Sequence, residues 1–297
     1  MNDRLLLVQK QSPGDLIVLS GAIRDLHLSH PMKYHTNVFS FYPEVFYRNH
    51  FTNGFPKDLS HTEIELDTGP YIHKYRKEGY HYSDLFRLVL EEKLGVHIEK
   101  SNIAGNLFFS NMELEQDLPE LTNEIGGPYW LINVGIKNDK PLKQYPPILW
   151  QRVVDLLVKS EKFKKFKLVQ VGDDRHMHPV LENVVDMVGK TNSLRDYFLL
   201  CRNAYGMIGH VSMQMHVAGV FHKPCVVVAG GREEPSWESY SNHVYFNSIG
   251  RLDCCRKDGC WRSHLNECDS IKNGKMFPEC MSMIMPEDVV ESILSYI

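Results

Sequence analysis

Residues 206–231 decide the fold class, and they read GMIGHVSMQMHVAGVFHKPCVVVAGG. GMIG and CVVVAGG are short apolar runs typical of buried strands, whereas SMQMHVAGVF between them has the spacing of a helix. Strands that alternate with helices in this way predict a parallel, doubly wound α/β sheet. Ligands bind such sheets at the carboxyl ends of the strands, so the residues that follow each strand are the candidate functional positions.

The same alternation of strands and helices extends towards the N-terminus. The stretches YWLINVG (129–135), KLVQVG (167–172) and VVDMVG (184–189) predict strands. Helices are predicted near Pro147 to Ser160 and in SLRDYFLLCRNA (193–204). At the start of the chain, a strand from Leu5 to Gln9 leads through the turn SPGD into LIVLSGAIRDLHL, which is predicted to be helical.

A segment rich in proline, glycine and acids, DLPELTNEIGGP (117–128), has the composition of a linker between two domains. We therefore expect a first lobe at 1–122 and a second lobe at 123–285. The final helix at 286–297 is a candidate to cross back and brace the first lobe.

Composition narrows the classes of partner. The 297 residues are 43% hydrophobic with a formal net charge of -4, so the chain lacks the broad positive field of a sequence-independent nucleic-acid binder, and nucleic acid is not expected as a partner. No apolar run has the length of a signal peptide or of a membrane span, so we expect a cytoplasmic protein without stable membrane insertion.

Five of the seven cysteines crowd into the segment 254–280. In a reducing compartment such crowding favours a metal site over disulfides, with free thiols as the alternative. Thiolates favour zinc or iron, and four of them close a structural site. The candidate ligands are Cys254, Cys255, Cys260, Cys268 and Cys280.

Two candidate sites follow the first strand of each lobe. Gly14 allows a tight turn, and Asp15 beside it displays a carboxylate where a general base could lie; its alternative role is a helix N-cap, which spacing alone favours. After YWLINVG come Gly135, Lys137 and Lys143, whose ammonium groups could reach a phosphate, although lone loop lysines are usually only solvated.

Two more candidates follow later strands. Asp173 and Asp174 come after KLVQVG, where a carboxylate could bind a ribose or simply form a turn. Beyond GMIG, a helix opens near Ser212 with Met213 and Gln214 in its first turn, and its unpaired backbone N–H groups could bind an anion. His216, one turn further, either packs in the core or donates to a diphosphate or a sugar.

Four stretches together resemble the ADP-heptose:lipopolysaccharide heptosyltransferase family, including the relatives that glycosylate autotransporter proteins. They are PGDLIVLSGAIRDLHLSHP (13–31), NVGIKNDKPLKQYPPILWQRVVDLL (133–157), VGKTNSLRDYFLLCRNAYGMIG (188–209) and SMQMHVAGVFHKPCVVVAGGREEPSW (212–237). The resemblance implies a GT-B fold, in which two Rossmann-like, doubly wound lobes face a central cleft. The first lobe would then bind the acceptor and the second the nucleotide sugar.

The resemblance also assigns roles to single residues. It places the catalytic base on Asp15 and the phosphate-binding lysine on Lys143, while Val211, Ser212 and Met213 depart from the aspartate, small hydroxyl residue and glycine that are usual in the family. The segment 254–280 resembles the cysteine-bearing C-terminal segment of many members, some of which carry a cysteine-bound iron.

The sequence therefore predicts an inverting glycosyltransferase with Asp15 as general base. The donor would be a nucleotide-diphosphate sugar, with an ADP-linked heptose or similar hexose favoured, and the acceptor a hydroxyl of a glycan, a lipopolysaccharide core or a protein. Lys143, Ser212 and the helix that opens at Met213 would steady the diphosphate, so no catalytic metal is expected. The alternatives are a nucleotide-sugar epimerase of the same fold and a degenerate, non-catalytic binding or scaffold protein.

Overall fold

The computed structural model describes residues 3–52, 54–56, 58–115, 123–137 and 141–297. The chain forms two compact units. The first comprises Met1–Gln116 and Ser236–Tyr240, and the second comprises Asp117–Pro235 and Ser241–Ile297. The boundary at 122 that the sequence suggests lies outside the described residues.

The first unit is built on a parallel three-stranded sheet of β1 (Asp3–Val8), β2 (Tyr34–Phe39) and β3 (Thr62–Glu65), with β1 in the middle. Helix α1 (Pro13–Ser29) follows β1, and proline at its first position favours that start because its fixed backbone suits a helix N-terminus. Almost every residue of α1 from 14 to 26 is buried, and the helix packs against α3 (Tyr82–Leu94) of the same unit.

Two further helices complete this part of the chain, α2 (Gly69–Lys77) and α4 (Asn111–Glu115). Helix α3 begins at Tyr82. Its N-cap is His81, whose side chain accepts a hydrogen bond from the backbone N–H of Ser83. An imidazole nitrogen can thus satisfy an unpaired helix N–H as a hydroxyl does.

The second unit is built on a parallel six-stranded sheet in the order β6-β5-β4-β7-β8-β9. Its strands are β4 (Tyr129–Asn133), β5 (Lys167–Gln170), β6 (Val185–Asp186), β7 (Gly206–His210), β8 (Cys225–Gly230) and β9 (His243–Asn247). This order is that of the dinucleotide-binding Rossmann fold. The strand order reverses between β4 and β7, and the carboxyl ends of those two strands form the topological switch point where ligands bind.

Helices connect these strands or, in the last three cases, follow β9. They are α5 (Pro147–Lys159), α6 (Leu194–Asn203), α7 (Met213–Val220), α8 (Pro235–Glu238), α9 (Asp269–Lys272), α10 (Glu279–Ser282) and α11 (Pro286–Leu294). None of the helices in the described part of the chain is long and apolar enough to cross a bilayer.

The bracing of the first lobe by the final helix stays a prediction. In the structure α11 packs against α5 and belongs to the second unit. Val289 and Ile293 on α11 are fully buried in the same cluster as Trp150 of α5 and Trp130 of β4. The hydroxyl of Tyr145 donates a hydrogen bond to the backbone oxygen of Ile284 at 2.8 Å, which holds the segment just before α11 in place.

Candidate active site

The candidate base, Asp15, is the third residue of α1 and is half-buried. One carboxylate oxygen accepts hydrogen bonds from the backbone N–H of Ser12 at 2.9 Å and from its hydroxyl at 2.7 Å, which makes a capping box. The other oxygen accepts a hydrogen bond from the hydroxyl of Tyr82. Ser12 is therefore the N-cap of α1, and Asp15 is the N3 residue of the capping box rather than the N-cap that one interpretation of the sequence expected. Its carboxylate is held in one orientation. Gly14 beside it is buried.

Tyr82 is a partner of Asp15 that the sequence did not reveal. Burial raises the pKa of Tyr82 well above its ordinary value, and the neighbouring Asp15 charge adds to the effect. The phenol therefore stays protonated and remains a donor at any physiological pH. Its ring packs against Trp237, with 5.6 Å between the ring centroids.

Polar side chains continue past the carboxyl end of β1. Gln9 donates to the backbone oxygen of Leu66, which follows β3, at 2.8 Å, and Gln11 donates to the hydroxyl of Thr68 at 3.0 Å. Because carboxyl ends of parallel strands share one edge of a sheet, these amides lie at the same edge as Asp15. Two glutamines directly after a buried strand were a signal that could have identified them.

In the second unit, the loops after β4 and β5 are joined. Ile136 and Met177 exchange backbone hydrogen bonds, and the imidazole of His178 lies between Gly135 and Gly172. A methyl group on either glycine would overlap that ring. Gly135 is thus required for packing, and the joined loops bring it close to the residues that follow β5.

The acidic residues after β5 have different surroundings. Asp173 forms an ion pair with Arg175, with 2.8 Å between Nε and Oδ1, and this hydrogen bond holds the pKa of the carboxyl well below its usual range. Asp173 is half-buried and stays ionised, whereas Asp174 is exposed and packs on Gly189. Lys137, after β4, is also exposed. Asp173 is therefore the better placed of the two acids to bind a hydroxyl.

Lys143 belongs to a cluster of charges near the carboxyl end of β8. Its ammonium lies 2.9 Å from Oε1 of Glu233, and the guanidinium of Arg232 bonds to the same oxygen. Glu233 is only 4% exposed, and its second oxygen, Oε2, has no partner among the described residues. Two cations therefore share one buried carboxylate, and the lone, solvated lysine that the sequence allowed is not what the structure contains.

His210, the last residue of β7, lies at the switch point, and the sequence did not single it out. Its Nε2 accepts hydrogen bonds from the backbone N–H of Tyr145 at 3.1 Å and from the indole N–H of Trp150 at 3.3 Å. Burial, together with the nearby charge of Lys143, lowers the pKa of His210 to about 3. A histidine that ends a strand at the sheet's carboxyl edge was the available signal.

The residues that open α7 divide into two groups. Ser212 is the N-cap, yet its hydroxyl makes no capping bond and has no partner in the described part of the chain; Met213 is half-buried beside it. Gln214 is buried, and its amide accepts from the hydroxyl of Tyr197 and donates to the backbone oxygen of Ile208. The Gln214 amide thus connects α7 to α6 and β7, and His216 is buried behind it.

The predicted metal site on the cysteines is not supported. Across the described ranges, no group of three or more histidines, cysteines or acids could hold a metal ion. The thiol of Cys255 lies 3.6 Å from the backbone oxygen of Ser248, and burial raises the pKa of Cys280 to about 12, which disfavours the thiolate that a metal needs. Cys255 and Cys280 instead pack against Gly231, in the turn that carries Arg232.

The strand order of the second unit defines a class, the doubly wound α/β fold of the Rossmann type. No family model matches the sequence, and no curated protein matches it either. Solved structures do share the fold.

Three of these structures indicate what the chain is similar to. A glycosyl transferase family 9 protein of Veillonella parvula has a TM-score of 0.68 at 15% identity, over 100% of this chain and 98% of that one. E. coli ADP-heptose LPS heptosyltransferase II has a TM-score of 0.62 at 13% identity, over 99% and 98%. The iron-containing, dodecameric heptosyltransferase TibC of E. coli, in complex with ADP-D-β-D-heptose, has a TM-score of 0.67 at 15% identity, over 99% and 76%.

At these identities the likeness establishes the fold. The predicted GT-B fold is therefore confirmed, and the resemblance of the sequence motifs to heptosyltransferases is matched by a resemblance in three dimensions.

Proposed function

We propose that this chain is an inverting glycosyltransferase that moves a heptose or a similar hexose from an ADP-linked donor to an acceptor hydroxyl. The observation that carries the proposal is the cluster of Lys143, Arg232 and Glu233 in the unit that has the Rossmann strand order. A diphosphate leaving group carries negative charge, which the ammonium of Lys143 and the guanidinium of Arg232, both beside Glu233, are chemically suited to stabilise.

The donor is proposed from the fold and from its neighbours. TibC shares the fold and was solved with ADP-D-β-D-heptose, which favours an ADP-linked sugar over other nucleotide sugars. The joined loops after β4 and β5 supply Asp173 for the ribose hydroxyls, since an ionised carboxylate after the second strand of a Rossmann sheet is suited to accept from them. The acceptor would be a glycan, a lipopolysaccharide core or a protein hydroxyl.

In the proposed reaction, Asp15 takes the proton of the acceptor hydroxyl as its oxygen attacks the anomeric carbon. The bond from that carbon to the diphosphate oxygen breaks, the electron pair stays on the diphosphate, and the configuration inverts. Lys143 and Arg232 balance the charge that develops on the leaving group, and the N-terminus of α7 at Ser212 adds backbone N–H groups. With these groups in place, we propose no catalytic metal.

The test combines donor binding with product analysis. ADP-, UDP-, GDP- and CMP-sugars are compared by thermal shift on the wild type, on Lys143→Met and on the control Lys159→Met, whose lysine is exposed at the last turn of α5. We expect an ADP-sugar to stabilise the wild type and the control, and Lys143→Met to weaken binding about tenfold or more, because a hydrogen bond to a charged group is worth about 1.5–3 kcal/mol.

Asp15→Asn then separates catalysis from binding, since the asparagine side-chain oxygen can still accept the hydrogen bond from the backbone N–H of Ser12. We expect donor binding to persist and transfer to fall by about two orders of magnitude or more, in the range that general-base removal costs. An epimerised donor without transfer would instead indicate the epimerase. Donor binding without turnover in the wild type would indicate the non-catalytic protein, and no response to any nucleotide sugar would refute the proposed donor site.

A further inference from the structure

We infer that His210 is a neutral hydrogen-bond donor to the diphosphate of the bound nucleotide, through its Nδ1–H. This inference rests on the proposed function, because it assigns a positioning residue to the same donor site. It adds a residue that none of the sequence motifs identified.

The hydrogen bonds around the ring decide which nitrogen carries the proton. Two N–H groups, the backbone amide of Tyr145 and the indole of Trp150, both point at Nε2, so Nε2 has to be the acceptor. A neutral imidazole carries one proton, and that proton is then on Nδ1. Because Tyr145 and Trp150 are fully buried, both donors stay in place and keep the tautomer fixed.

The ring stays neutral for a reason that is independent of its tautomer. His210 is 6% exposed, and the positive charge of Lys143 disfavours a second positive charge on the imidazole. Protonation would also turn Nε2 into a donor that faces two other donors. His210 can therefore donate a hydrogen bond but does not act as a general acid near neutral pH.

The ring of His210 lies at the switch point, where ligands bind to a sheet of this strand order. His210 ends β7 directly after Gly209, which pairs with Asn133 at the switch point between β7 and β4. Within the described residues, no acceptor lies within hydrogen-bond distance of Nδ1. The two hydrogen bonds of the side chain both use Nε2, which leaves Nδ1–H for an acceptor from outside the chain. Beside Lys143, that acceptor is an anionic oxygen, and phosphate oxygens are the best match.

Two variants separate the two nitrogens. In His210→Gln, the side-chain oxygen reaches the place of Nε2 and can accept from Tyr145 and Trp150, but nothing remains at Nδ1. In His210→Asn, the amide nitrogen takes the place of Nδ1, but no acceptor reaches the two buried donors. A purely structural histidine would be replaced better by glutamine, and a diphosphate-binding histidine better by asparagine.

The measurements are a thermal shift without ligand and the Kd for ADP and for inorganic pyrophosphate. We expect His210→Gln to keep the melting temperature of the wild type and to bind both ligands about tenfold more weakly, the loss typical of one hydrogen bond to a charged group. We expect His210→Asn to melt lower and, below its melting temperature, to keep affinities near those of the wild type. If His210→Gln binds both ligands like the wild type, the inference is wrong.

A nuclear magnetic resonance measurement decides the question even if a variant does not fold. In wild-type protein with ¹⁵N-labelled histidine, the His210 ring should carry its proton on Nδ1 at neutral pH, and pyrophosphate should move that proton downfield. An unmoved Nδ1–H signal under saturating pyrophosphate would overturn the inference. If pyrophosphate shifts the signal but no nucleotide sugar binds, His210 is still a hydrogen-bond donor to a diphosphate, and the proposed nucleotide-sugar substrate is refuted.

Discussion

Replacing Gly135 by alanine perturbs the slot in which the His178 ring lies between the loops after β4 and β5. The new methyl group would overlap the imidazole, and Gly172 on the opposite side leaves the ring no room to retreat. The ring then has to leave the slot and lose its 3.0 Å hydrogen bond to the backbone oxygen of Asp173, which is worth about 1 kcal/mol. Overpacking adds about 1–3 kcal/mol, so we expect a loss of about 2–4 kcal/mol in the free energy of unfolding.

Urea unfolding, followed by the fluorescence of the buried Trp130 and Trp150, measures this loss, and His178→Ala supplies the double-mutant cycle. In the His178→Ala background, Gly135→Ala should cost less than about 0.5 kcal/mol, because the clash is gone. Gly172→Ala is the matched contrast: Gly172 has a φ of 151°, so alanine stays strained there even without the ring. If Gly135→Ala costs the same with and without His178, the packing argument is refuted.

Two further predictions concern charge. Glu233→Gln removes the carboxylate that Lys143 and Arg232 share. We expect a loss of roughly 1–3 kcal/mol in the free energy of unfolding, which lowers the melting temperature, and a larger stabilisation by pyrophosphate than in the wild type. Equal stabilisation of both proteins in thermal-shift titrations with pyrophosphate would contradict this. Burial lowers the pKa of His81 to about 4 and that of His210 to about 3, whereas an unfolded histidine titrates near 6.5. The unfolded chain therefore binds more protons than the folded chain below pH 6.5. The free energy of unfolding should fall with pH there, by up to about 1.4 kcal/mol per pH unit for each of the two histidines. Melting temperatures between pH 7 and 5 should fall less steeply in His210→Gln, and parallel slopes would exclude His210 as a source.

Five of the six strands of the second unit, β4 to β8, and the helices α5, α6 and α7 were predicted because each is a short apolar run or an apolar-periodic stretch. The strand β9 and the short helices α8, α9 and α10 were not predicted. In the first unit, β3 was not predicted, since TEIE buries a single side chain and lacks the alternation of a half-buried strand. The strand β2 mixes polar and apolar residues and was missed for the same reason.

The candidate site was predicted only where one residue carries the signal. Lys143 and Asp15 follow strands in recognisable turns, whereas Glu233 and Tyr82 reach them from distant parts of the sequence, and no local pattern records such a contact. The predicted metal site is not supported for a related reason. The number and spacing of cysteines in the sequence do not determine whether their side chains converge on one point.

The small segment Ser236–Tyr240 has a consequence for how the protein is made. It belongs to the first unit, where Trp237 packs on the tyrosine that holds Asp15, although most of the second unit precedes it in the sequence. A ribosome therefore releases the first unit's last piece only after five of the six strands of the second sheet have been synthesised. A fragment that ends at residue 116 would lack that aromatic neighbour, so the first unit is a poor choice for expression on its own.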